Sequence, residues 1–154
     1  MRVWRICRKV HAADPLNGRG GLFVSGRWHS RGNRIVYTAS ALSLAALELL
    51  VHSSRDCLPT DLVRVEIDVP DKLKRTTLTA DDLPKNWLRY PAPVSLKKIG
   101  DRWLSEEKTP LLCVPSAVIP EESNWLINPQ HPASKAIKVR SKRRFAYDVR
   151  LGTE

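Results

Sequence analysis

The sequence predicts an α+β fold, with mixed or antiparallel β-sheets and flanking helices, and three observations carry that prediction. Stretches that alternate apolar and polar side chains outnumber helical ones. The two kinds do not follow one another in the regular order of a doubly wound parallel sheet. One long helix is apolar on nearly every face and needs a sheet to lie on. At 154 residues a single domain over 1–154 is expected, burying roughly 68–70% of the surface its unfolded chain exposes.

Taken in order, residues 2–8 set Val3, Arg5 and Cys7 against Trp4, Ile6 and Arg8, the alternation of a strand. A loop follows that holds Gly18, Gly20, Gly21, Gly26 and Gly32 together with Arg19, Arg27, Arg31 and Arg34. Ile35 to Tyr37 reads as a short strand. Ser40 is then the expected N-cap of a helix running to about Ser53 and buried against the sheet. Residues 61–69 alternate again and stop at Pro70. Pro84 and the pair Pro91 and Pro93 bracket a segment around Trp87, after which 95–106 reads as an amphipathic helix. Leu111 to Val114, closed by Pro115, and Trp125 to Ile127, closed by Asn128 and Pro129, are expected strands. Phe145 to Leu151 is read as the last one.

Composition narrows the class further. A hydrophobic share of 42% and a charged share of 27% exclude a disordered chain and a disulfide scaffold. No apolar run approaches the ~18 residues of a membrane span, and the first ten residues form a charged alternating stretch, not a signal peptide. Cys7, Cys57 and Cys113 are odd in number, far apart and without metal-type spacing, so they are read as reduced core thiols of a cytoplasmic protein. His11, His29 and His131 share no ligand spacing, and no metal is assigned.

The net charge of +10 is unevenly placed: residues 1–34 hold 8 basic and 1 acidic side chains, 35–123 hold 11 and 13, and 124–154 hold 7 and 2. Two basic ends attract polyanions, nucleic acid first among them. The cluster Lys135, Lys138, Arg140, Lys142, Arg143 and Arg144 has the look of such a patch, yet no recognised DNA- or RNA-reading motif accompanies it. A solvated basic face is the alternative.

Glu48 is the most informative single residue, because an ionisable carboxylate in an apolar helix requires a partner, a wet cavity or a proton. Helical spacing sets it on one stripe with Ala41, Ala45 and His52. Pairing with His52 at i+4 and a role facing a substrate are the two readings. Arg27, after Gly26 and before Trp28, suits bidentate binding of a pyrophosphate; stacking on Trp28 or an exposed ion pair is the alternative. Tyr37 is placed to stack on a flat heterocycle, or else is a core tyrosine. Ser116 sits where a buried strand ends, outside any serine-hydrolase elbow. Asn128 precedes a proline, which equally suits a turn.

Seven blocks together, G-R-W at 26–28, V-Y-T-A-S at 36–40, A-A-L-E at 45–48, L-P-x-x-W at 83–87, G-D-x-W-L at 100–104, L-L-C-V-P-S-A at 111–117 and N-W-L-I-N-P-x-H-P at 124–132, resemble the RES family. Its name refers to an Arg, a Glu and a Ser, matched here by Arg27, Glu48 and Ser116. His29 follows G-R-W where the family pattern is expected to carry Asn. The resemblance implies a fold similar to ADP-ribosyltransferases and a toxin of a bacterial toxin–antitoxin pair. Its implied substrate is NAD+, with no separate cofactor. The bond between nicotinamide and ribose would be cleaved by hydrolysis or phosphorolysis, with protein ADP-ribosylation as the alternative. An Xre-type antitoxin is the implied partner, supplying the DNA contacts, with a homodimer inside the complex as a possible arrangement and no role for a membrane.

In that chemistry Glu48 would face the oxocarbenium-like ribose, Arg27 and Arg5 the pyrophosphate and Tyr37 the nicotinamide ring. Ser116 and Asn128 would hydrogen-bond the amide or the ribose. The rival from another class is a basic nucleic-acid-binding module or ribonuclease toxin.

Overall fold

The computed structural model describes residues 1–53 and 59–151. Its strands are β1 (Arg2–Arg8), β2 (Val36–Ala39), β3 (Leu62–Asp68), β4 (Arg75–Thr77), β5 (Leu111–Pro115), β6 (Ser123–Ile127) and β7 (Lys138–Phe145). Two helices, α1 (Leu42–His52) and α2 (Val94–Glu106), complete the α+β fold that the sequence predicts. The strands form one mixed sheet in the order β4-β5-β6-β2-β1-β3-β7, antiparallel throughout except for the parallel pair β4 and β5.

Alternation along the strands sorts side chains to two faces. On one face Val3, Cys7, Val36, Val65, Ile67, Leu111 and Ile127 pack together, with Ala12 and Ile137 joining from the flanking segments. On the other face lie both helices. α1 sets Leu44 and Ala45 against Ile6, Ala39 and Leu62, while α2 sets Leu96, Trp103 and Leu104 against Leu112, Val114, Leu126 and Trp28. Burying a leucine such as Leu44 stabilises by about 1.5–3 kcal/mol, so a few side chains suffice to dock each helix.

β1 pairs with β3 from Arg2↔Asp68 to Arg8↔Leu62, whereas its pairing with β2 is confined to Trp4↔Ala39 among the described residues. The sheet therefore parts between β1 and β2, beneath α1. This opening positions the site.

Several expectations are corrected. Ser40 does not cap α1: its backbone N–H is spent on the Ser123 carbonyl at 3.0 Å, and Ala41 occupies the cap position without a side-chain bond. Nor is α1 buried all round, since one stripe meets the sheet while Leu47 and Val51 remain 37% and 57% exposed. The last strand is Lys138–Phe145, not 145–151, whose end is a 3₁₀ turn at Val149–Leu151. An edge strand solvated along its length needs no apolar alternation, so the basic run hid it. β4, Arg-Thr-Thr, is likewise too short and polar to be read in advance. Cys7 and Cys113 are buried free thiols; Cys57 lies outside the described residues. No helix among the described residues is long and apolar enough to cross a membrane.

α2 meets the loop before β2 at Gly100, where an added Cβ would run into the carbonyl of Trp28. Gly100→Ala is expected to lower the unfolding free energy by about 1–3 kcal/mol through overpacking, read as a shifted midpoint in urea. An unchanged midpoint would contradict the contact.

Candidate active site

A cavity of about 370 Å³ lies at the sheet opening, lined by β1 (Trp4, Arg5, Ile6), β2 (Tyr37, Thr38, Ala39), α1 (Ala45, Glu48, Leu49, His52) and the loop around Arg27. Ala117, just past the end of β5, and Asn124 of β6 close it. Of the two alanines on the Glu48 stripe, Ala45 lines the cavity, whereas Ala41 packs against the cluster under α1. Size and mixed lining suit a small organic ligand.

Glu48 does not pair with His52. Its Oε1 accepts from Ser116 Oγ at 2.7 Å and from Asn124 Nδ2 at 2.5 Å. Strand parity brings these donors together: Leu112, Val114 and Ser116 follow one another at every second residue, as do Asn124 and Leu126, and Asn124 stands opposite Ala39. Ser116 Oγ itself accepts from the backbone N–H groups of Val118 and Ile119, at 3.0 and 3.1 Å, which orients its single proton toward Glu48. Both donors serve one carboxylate oxygen. Among the described residues nothing donates to the other, Oε2, which keeps its acceptor capacity for whatever enters the cavity.

Arg27 is held from behind. Its Nη1 donates to the Trp87 carbonyl at 2.7 Å and Nη2 to the Arg89 carbonyl at 3.4 Å, so it neither stacks on Trp28 nor joins an ion pair among the described residues. Burial lowers its pKa, and the nearby Glu48 carboxylate partly offsets that. Arg5 reaches between the parted strands, where Nη1 donates to the Tyr37 carbonyl at 3.2 Å while buried Nε has no hydrogen-bond partner among the described residues. Burial depresses its pKa too, with Cys7 acting the other way. An unsatisfied guanidinium N–H at a cavity wall favours an anion there.

Tyr37 is fixed by its hydroxyl. The Trp28 N–H donates to it at 3.1 Å, and His29 Nδ1 lies 2.8 Å away. His29 Nε2 is 3.0 Å from the Val24 carbonyl, which only accepts, so Nε2 carries the proton and Nδ1 accepts from the tyrosine. Burial raises the Tyr37 pKa well above the ordinary phenol value and keeps the ring neutral. Gly26 permits this approach, because a Cβ there would stand 2.6 Å from the Tyr37 hydroxyl. Asp101 of α2 anchors the same loop by accepting from the Ser30 N–H at 2.8 Å, Ser30 Oγ at 2.6 Å and Asn33 Nδ2 at 2.8 Å.

Of the residues expected at the site, Arg5, Arg27, Tyr37 and Glu48 line the cavity, and Ser116 acts on it through Glu48. Asn128 does not line it. Its side chain is buried, donates to the Leu104 carbonyl at 3.4 Å and accepts from the Gln130 N–H at 3.0 Å, the turn role given as the alternative. The asparagine that reaches Glu48 is Asn124, which the sequence reading missed; its signal is the two-residue step back from Leu126 along a strand. His29 was also unassigned. No group of three His, Cys, Asp or Glu side chains suited to a metal ion is gathered among the described residues.

The family model described as the RES domain matches residues 2–148, and the chain belongs to that family. Among its relatives, a "Prs ADP-ribosylating toxin" of Sphingobium sp. (strain YBL2) is 41% identical over 152 residues, covering 96% of this chain and 94% of that protein. A "Toxin Res" of Pseudomonas putida KT2440 is 38% identical over 153 residues, covering 98% and 99% respectively. The "Toxin Res" of Yersinia enterocolitica serotype O:8 is 34% identical over 152 residues, again covering 98% and 99%. A chain of the crystal structure of the M. tuberculosis MbcT–MbcA toxin–antitoxin complex superposes with a TM-score of 0.75 at 15% identity, covering 94% of this chain and 83% of that one. At that identity the likeness establishes the fold. By family the protein is a RES-type toxin.

Burial lowers the pKa of His29, the Val24 carbonyl and Asp101 opposing the shift and Lys97 adding to it. The stability its neutral ring contributes is complete above the ordinary histidine pKa of about 6.5 and is lost as pH falls through the lowered folded value. The stability gap between the native protein and His29→Asn is therefore expected to shrink between pH 7 and pH 5 in urea titrations. A gap that stays constant would mean that His29 does not titrate against Tyr37.

Proposed function

We propose that this toxin cleaves the nicotinamide–ribose bond of NAD+, and the observation that carries the reading is Glu48. It is a carboxylate on a cavity that also presents Arg27, Arg5 and Tyr37, with one oxygen fixed by Ser116 and Asn124 and the other without a donor among the described residues. The bond between C1′ of the ribose and the ring nitrogen of nicotinamide breaks, the electron pair leaves with neutral nicotinamide, and positive charge builds on the ribose. A pre-oriented carboxylate stabilises that charge more than it stabilises the ground state, where the cation sits on the nicotinamide ring. Arg5 and Arg27 suit the pyrophosphate, and Tyr37 the flat face of the nicotinamide.

An oxygen nucleophile then takes C1′ and releases its proton. With water the outcome is a glycohydrolase, with inorganic phosphate a phosphorylase. An acceptor protein is the second reading, favoured by the name of the Sphingobium relative, which describes ADP-ribosylation. All three share the same first bond cleavage. The proposed partner is an Xre-type antitoxin in the cytoplasm, supported by a structural neighbour that comes from a toxin–antitoxin complex.

Purified protein incubated with NAD+ is expected to release free nicotinamide. Glu48→Gln keeps the shape and loses the charge, and is expected to lower kcat by about 100- to 1000-fold. Arg27→Ala should act mainly through KM. Intact NAD+ beside folded native protein would overturn the reading. Phosphate dependence and transfer of label onto protein separate the three acceptors.

A further inference from the structure

The basic run of the last strand has no part in the cavity chemistry, and its placement is specific. β7 is the edge of the sheet, so one side of its backbone faces open space. Its register sets Arg143 directly opposite Arg64, like charge against like, an arrangement that weakens a strand pair. The carboxylates nearby are already engaged: Glu66 and Asp68 by Arg2 and Arg140, and Asp61 by Arg8. Among the described residues no acid forms an ion pair with Lys9, Arg64, Lys142, Arg143 or Arg144. Lys9, Lys142, Arg143 and Arg144 line a concavity of about 540 Å³ on this edge, together with Asp61, which is already paired with Arg8.

We propose that the β3–β7 edge is a binding site for the phosphate backbone of double-stranded nucleic acid. Charge alone would protect an edge strand from unwanted pairing with one or two lysines; an opposed arginine pair and a hollow in which Lys9, Lys142, Arg143 and Arg144 outnumber the single, already engaged carboxylate of Asp61 exceed that need. A protein partner is disfavoured, since neither β3 nor β7 carries an exposed large apolar side chain to anchor one. Single strands are disfavoured as well. Phe145, the aromatic residue of β7, packs edge-on against Tyr147 and against the α1 cluster, leaving no platform on which bases stack. Eight residues of strand extend about 26 Å, long enough to follow several phosphates of a duplex strand, which carries one for about every 3.4 Å of helix axis. Contacts of this kind ignore base sequence and depend steeply on salt. The toxin would then meet DNA through its own surface, in addition to any contacts an antitoxin supplies.

The test is fluorescence anisotropy of a labelled 20-base-pair DNA duplex of arbitrary sequence, titrated with the full chain between 50 and 200 mM salt. Wild type is expected to bind with a log–log salt slope near −3.6, about 0.9 for each of four phosphates. Arg143→Glu with Arg144→Glu is expected to cut affinity at least tenfold at 50 mM salt and to lower the slope by about 2. Lys72→Glu with Lys74→Glu, which changes the net charge equally at an exposed turn elsewhere, is expected to bind as wild type does. Thermal melts confirm folding, and Lys142→Ala with Arg144→Ala replaces the charge reversal if that variant does not fold. No wild-type binding at 50 mM salt overturns the proposal, as does equal loss in both double variants. Displacement by polyglutamate as effective, charge for charge, as by unlabelled duplex overturns it in favour of an acidic protein partner.

Discussion

An ionisable carboxylate on an apolar helix that faces a sheet has to be compensated there. In this protein the compensation comes from two neutral donors that reach one oxygen of Glu48, Asn124 from β6 and Ser116 from the residue that follows β5. A cation in their place would spend the negative charge; neutral hydrogen bonds hold the group in position and leave the charge available. That choice determines much else. β5 and β6 must lie side by side in a register that puts Ser116 and Asn124 on the α1 face, and α1 must rest where the sheet parts between β1 and β2.

The opposite wall follows a similar logic with cations. Arg27 hangs from the carbonyls of Trp87 and Arg89, and Arg5 from that of Tyr37, so both guanidiniums are placed by acceptors that do not neutralise them. The loop carrying Arg27 is kept from collapsing into the cavity by Asp101 on one side and by the Trp28, Tyr37 and His29 hydrogen bonds on the other. Glycine at 26 and at 100 is what lets these layers come together. Charges of opposite sign thus face one space without cancelling, a condition for acting on a molecule that is anionic at its phosphates and turns cationic at its ribose.

Most of this architecture was readable from the chain where periodicity is strong. β1, β3 and α2 follow their apolar alternation almost to the residue, and Glu48 stood out because its neighbours are apolar. Reading failed where a residue's role depends on a partner far away in sequence. Asn128 looks like a site residue beside proline, while Asn124, four positions earlier, is the one whose strand parity meets Glu48. His29 carries no local signal, since its purpose exists only once Tyr37 lies 2.8 Å away. β7 was obscured because solvent on its outer edge removes the demand for buried side chains.

Where a dinucleotide sits decides the role of Glu48. A crystal structure of the Glu48→Gln variant soaked with NAD+ tests it most directly. The nicotinamide ribose is predicted against side chain 48, the ring over Tyr37 and the pyrophosphate within hydrogen-bond reach of Arg27 or Arg5. A dinucleotide bound outside this cavity, or bound within it with its ribose turned away from position 48, would contradict the assignment.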